Sequence, residues 1–94
     1  MSVEVCGTES WDAAGNCLWF QVDAHGQTIS CCVDAMGLFL ALGAPTPREI
    51  DATNAYVSRR DWIHAAALAK AARGDFERNP VRPQAFVHLT ARDL

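Results

Sequence analysis

The chain has 94 residues, half of them hydrophobic and a fifth charged, with a formal net charge of −3. That balance is too apolar for disorder and sufficient for one small core, so residues 1–94 read as a single domain. It also excludes a strongly basic nucleic-acid footprint.

The charges are unevenly placed. No Lys or Arg precedes Arg48, and only Glu4, Glu9, Asp12, Asp23 and Asp34 are charged there; all eight basic residues lie from Arg48 onward. Such a split suits head-to-tail self-association or a mixed-charge partner surface, set against the plainer reading of a solvated surface. A chain this short has a marginal core, which dimerisation would reinforce. No apolar run reaches the ~18 residues needed to span a bilayer. The opening "MSVEVCGTES" lacks the basic flank and apolar core of a signal peptide. The expectation is a cytoplasmic protein with no membrane contact, whose four cysteines are thiols.

In chain order, "VEV" over residues 3–5 predicts a short strand, and "GTESWDAAGN" a loop in which Trp11 folds back as an apolar plug. "CLWFQVDAHGQTISCCV" is the clearest local signal. Two β-prone runs flank His25-Gly26, a pair that fits a two-residue type I′ turn. Such a turn sets Ala24 opposite Gln27, Val22 opposite Ile29, Phe20 opposite Cys31 and Leu18 opposite Val33. The other face pairs Trp19 with Cys32, Gln21 with Ser30 and Asp23 with Thr28. A slip of one residue would scramble both faces.

Asp34 is a suitable N-cap for "AMGLFLALG", with Gly43 as its C-terminal stop. That helix is apolar nearly all round and should be buried through Leu38, Phe39 and Leu42. "TPRE" then predicts a helix capped by Thr46, with Pro47 in the first turn and Glu49 completing a capping box. Ile50 and Val57 share one thin stripe. A break falls near Ser58, which with Asp61 offers a second cap, and a further helix runs to Arg73 and ends at Gly74; one continuous helix is the alternative. Its stripes are Trp62, Ala66, Ala69 and Arg73, and, next to it, Ile63, Ala67 and Lys70. "DFERNPVRP" is a connector, because Pro80 and Pro83 exclude helix. "QAFVHLTA" predicts a last strand over residues 85–90, with Ala85, Val87 and Leu89 on one face and Phe86, His88 and Thr90 on the other. The fold class is therefore α+β: an antiparallel sheet of the hairpin 17–33 and the strand 85–90, with "VEV" as an added edge, and two or three helices on one face.

"GQTISCCVDAMGL", the "TPREI" helix start and "ARGDFERNPVRPQAFVHLTARDL" together resemble the bacterial domain-of-unknown-function family 1488. The resemblance spans nearly the whole chain and is weakest before Trp11. Its tail pattern falls on Thr90, Asp93 and Leu94, and its cysteine on Cys31. Cys32 has no counterpart, and His25 replaces the Asn or Asp usual in that turn. The resemblance implies an α+β fold and carries over no catalytic residue.

The candidate chemistry is sparse. Cys6, Cys17, Cys31 and Cys32 lack the short paired spacing of structural zinc ligands, and Cys31 and Cys32 point to opposite strand faces, so no metal is expected. Cys31, against Phe20, reads as a small buried hydrophobe. Cys32, beside Trp19, is the thiol that a redox sensor or nucleophile would use, with a base among His25, His64 and His88. Trp19, Cys32, Phe86 and His88 share one sheet face as a candidate interaction surface, unless a helix covers it. Arg59 and Arg60 are candidate phosphate contacts. No phosphate-cradling glycine loop or catalytic triad stands out, so no cofactor is expected. Three functions follow. The first is a non-enzymatic protein-interaction or regulatory module with an unknown partner or a second copy of itself. The second is a weak nucleic-acid binder using the arginine-rich half, and the third a thiol redox sensor built on Cys32.

Overall fold

The computed structural model describes residues 9–24, 26–78 and 85–94. The expected strand at 3–5, the turn residue His25 and the prolines of the connector lie outside the described residues.

The elements are β1 (Ser10–Asp12), β2 (Cys17–Ala24), β3 (Gln27–Asp34), α1 (Ala35–Leu42), α2 (Glu49–Ser58), α3 (Arg60–Ala72), β4 (Val87–Leu89) and a 3₁₀ turn, Ala91–Asp93. The sheet order is β1-β2-β3-β4, so the α+β class holds. The hairpin register is the one the sequence dictates, from Ala24↔Gln27 to Leu18↔Val33. Gly26 takes φ +79° in the connecting turn, a conformation that costs glycine little.

Two features of the sheet correct the sequence reading. β1 forms inside the stretch read as loop, with Trp11 opposite Leu18 and Asp12 opposite Cys17. Asp12 makes the return possible: its Oδ1 accepts the backbone N–H groups of Ala14 and Gly15, each at 3.1 Å, as Asp does in tight turns. Trp11 does fold back, half-buried against the main core. The second correction concerns β4, which pairs with β3 in parallel, not antiparallel (Cys31↔Val87, Cys32↔His88, Val33↔Leu89). Three helices intervene, and a crossover of that length returns the chain to the starting end of β3.

The main core lies between the helices and one sheet face. It holds Leu18, Phe20, Val22, Cys31, Val33, Val87 and Leu89 from the sheet and Ala35, Leu38, Ala52, Tyr56, Ile63 and Ala67 from the helices. Of the two α3 stripes, the one through Ile63, Ala67 and Lys70 is buried, while Trp62 is exposed. α2 buries Ala52 and Tyr56 and leaves Ile50 in solvent, so the Ile50–Val57 stripe is not its inner face.

The chain breaks between Ser58 and Arg60, and Gly43 and Gly74 take positive φ after α1 and α3. The side-chain caps differ from those expected. Asp34 holds the N-cap position of α1 without capping it, because its Oδ1 is taken by His88. The Thr46 hydroxyl donates to Asp51 at 2.7 Å and the helix begins later, at Glu49. The Ser58 hydroxyl donates back to the Ala55 carbonyl, not forward to α3.

Candidate functional site

Among the described residues, three polar constellations and an open apolar face on α1 sit on this frame. The first lies on the sheet face away from the main core. Alternation along β2 and β3 puts Cys17, Trp19 and Cys32 there, and β4 adds His88, with Phe86 just before it. Cys17, Cys32 and Phe86 form a second small core, with Trp19 packed against it. The Trp19 and Phe86 rings meet edge to face at 5.1 Å, and the Trp19 indole N–H donates to Asp12 at 3.2 Å.

The structure therefore brings together all four residues of the candidate interaction surface. It buries two of them, Cys32 and Phe86, and half-buries Trp19 and His88. Cys32 sits on the outward face its register requires, and Trp19 and Phe86 close over it. The sequence reading also missed Cys17, its diagonal neighbour on the same face. The usable signal was the register itself, in which Cys17↔Asp34 and Trp19↔Cys32 are successive pairs on that face.

At the margin of this face His88 lies between two carboxylates, Nε2 at 2.9 Å from Asp34 and Nδ1 at 3.1 Å from Glu77. Carboxylates only accept, so both ring nitrogens donate and the imidazolium is the form that fits. Burial alone would lower its pKa, but the two carboxylates outweigh burial and hold it above the ordinary histidine value.

The second constellation links β1 to the helices. Buried Glu9 accepts from Arg60 through Nη2 at 3.0 Å and Nε at 3.1 Å, a two-point pairing. The Tyr56 hydroxyl donates to Glu9 and meets His64 Nε2 at 2.8 Å. The His64 ring stacks on Phe20 at 5.1 Å, and the Arg60 guanidinium lies over the Tyr56 ring. Burial, with Glu9 beside it, pushes the Tyr56 hydroxyl far up, and burial lowers His64. Of the two candidate phosphate contacts, Arg60 is thus committed to Glu9, and Arg59 stands exposed between α2 and α3.

The third constellation anchors the C-terminal turn. The buried Lys70 ammonium donates to the His88 carbonyl at 2.6 Å and to Asp93 at 3.0 Å. Asp93 in turn accepts from the Thr90 backbone N–H and hydroxyl. Thr90 and Asp93 are thus a capping box that the lysine locks from below. Among the described residues no group of three or more His, Cys, Asp or Glu side chains is placed to hold a metal, and no helix is long and apolar enough to cross a membrane.

The open apolar face belongs to α1. Ala35, Gly37 and Leu38 turn into the protein, while Met36, Phe39 and Leu40 are 48%, 37% and 65% exposed. This is a correction: a helix apolar all round was expected to be buried, but it lies on the sheet with one side only. The outward residues, at i, i+3 and i+4, form a continuous stripe, and residues 35–47 carry no charge at all.

Among the described residues, fold and sites define a small α+β domain with a four-stranded mixed sheet, two buried ionic networks and an exposed apolar face on α1. Residues 6–79 match the family described as Protein of unknown function (DUF1488), and the chain belongs to that family. The Thr90-to-Leu94 tail, which carried part of the resemblance, lies beyond the matched residues. No curated protein and no solved structure matches the chain.

Proposed function

We propose that this chain is a non-enzymatic protein-interaction module of the bacterial cytoplasm, and that it pairs with a second copy of itself through α1. The observation that carries this reading is the exposed Met36, Phe39 and Leu40 stripe within a charge-free segment. An isologous contact sets the patch against its own copy, so a charge near the two-fold axis would meet its like; a neutral apolar patch avoids that cost. The small core gives such a pairing a further benefit, because association stabilises the folded state by mass action.

Sedimentation velocity over a concentration series tests the reading. The wild type should shift from monomer to dimer. Leu40→Asp should remain monomeric at every concentration with its far-UV circular dichroism unchanged. A wild type that stays monomeric throughout would overturn the pairing. Nucleic-acid binding through Arg59 and Arg60 has weaker support, since Glu9 already holds the Arg60 guanidinium.

A further inference from the structure

We propose that Cys17 and Cys32 are a paired-thiol site that a hydroperoxide oxidises to a disulfide, with Cys17 as the attacking sulfur. The inference is independent of the α1 contact and rests on the hairpin register. Ala24↔Gln27 closes the two-residue turn, so that pair is hydrogen-bonded and the pairs alternate from there. Trp19↔Cys32 and Cys17↔Asp34 are then both non-hydrogen-bonded pairs, the kind whose side chains stand closest. Cys17 and Cys32 are the diagonal between them, and both belong to one buried cluster. The adjacent Cys31 is on the other face, in the main core, and cannot compete.

The surroundings separate the two thiols. Contact with the Cys32 thiol, in the same buried cluster, more than anything else holds Cys17 below the ordinary thiol range although burial opposes it. The same contact and burial push Cys32 up. Asp12 and Asp34 work against a charge on Cys17, and the His88 cation works for it. One sulfur is thus prepared to attack, and the other keeps its proton until a leaving group needs it.

The step balances with one hydroperoxide. The Cys17 thiolate attacks the peroxide oxygen, the O–O bond breaks, and the first water (or alcohol) leaves with the proton Cys17 had given up. The Cys32 sulfur then attacks the Cys17 sulfenic acid. The S–O bond breaks, the S–S bond forms, and the Cys32 proton leaves in the second water. Two thiols are oxidised by two electrons and the peroxide is reduced by two.

The test uses the folded, reduced wild-type chain with equimolar hydrogen peroxide, quenched by alkylation. No Lys or Arg precedes Arg48, so trypsin leaves all the cysteines on one peptide; chymotrypsin, cutting after Trp19 and Phe20, separates Cys17 from Cys32. The expected product is a Cys17–Cys32 bond located by tandem mass spectrometry, forming at least about tenfold more slowly in urea, where the paired environment is lost. In Cys32→Ser, oxidation should stop at a Cys17 sulfenic acid that dimedone captures. A bond from Cys17 to Cys6 or Cys31, dimedone capture at Cys31, or an equal rate in urea would each overturn the proposal.

Discussion

Gly37 of α1 lies so close to Ala91 that a Cβ added at Gly37 would stand 3.0 Å from the Ala91 backbone nitrogen and 3.2 Å from the Thr90 carbonyl carbon. The obstructing atoms are backbone, and the turn that carries them is fixed by Lys70 and Asp93. Gly37→Ala should gain about 1 kcal/mol of helix propensity and lose more to overpacking, roughly 1–3 kcal/mol. The net result expected in a urea melt is a lower midpoint with an unchanged slope.

The Lys70–Asp93 pair is open to a double-mutant cycle. Lys70→Met removes the cation but leaves Asp93 its Thr90 partners. Asp93→Asn keeps the shape and drops the charge. Each single change should cost about 1–3 kcal/mol, because a largely buried polar partner is left behind. The double change should cost less than the sum of the two, by a coupling of 0.5 kcal/mol or more as direct contact requires, to within the usual ~0.3 kcal/mol error. Strict additivity in chemical denaturation would show that the contact contributes nothing.

Two histidines should bend the pH dependence of stability in opposite directions. His88 titrates above its ordinary value because the carboxylates of Asp34 and Glu77 outweigh burial. Its contribution is complete below an unfolded pKa of about 6.5 and disappears as pH rises through the folded value. His64 is held below its ordinary value by burial. Its contribution is complete above about pH 6.5 and is lost as pH falls through the folded value. Urea unfolding across this range should show His88→Gln flattening the alkaline side and His64→Gln the acid side. An unaltered profile in either variant would sink the corresponding assignment.

Phe20 and Cys31 face each other in the core, 1% and 0% exposed. Phe20→Ala should cost roughly 3–5 kcal/mol, since the cavity also strips the stacked partner from His64. Burial pushes the Cys31 thiol up to about 12. It should resist a disulfide reagent at neutral pH until the chain unfolds, which thiol titration with and without urea would measure.

The hairpin was legible in the sequence because a two-residue turn and strict alternation leave a single register. The same holds for Gly43 and Gly74, which end their helices, and for the inward Val87 and Leu89. Long-range choices were not legible. Nothing local to Glu9 signals that Arg60 and Tyr56 will enclose it, since periodicity describes a segment and not its distant partners. The parallel direction of β4 was set by the helices between the strands, not by any residue within it. Asp34 and Thr46 were sound cap candidates, but His88 and Asp51 claimed their side chains. Cys32 was placed on the correct face; its burial depended on Trp19 and Phe86 meeting above it.

The parallel pairing of β3 with β4 also governs the order of assembly. Cys31 and Val87 become neighbours only after the intervening helices have brought the chain back, and contacts so distant in sequence are the slow ones to form. Until then β3 offers bare N–H and C=O groups along the apolar segment Cys31-Cys32-Val33, a template that another molecule's strand can join. β4 is short, yet by docking there it works as a protective cover. Loosening the Lys70–Asp93 lock behind it should first appear as intermolecular β-structure in concentrated samples, before any loss of helix.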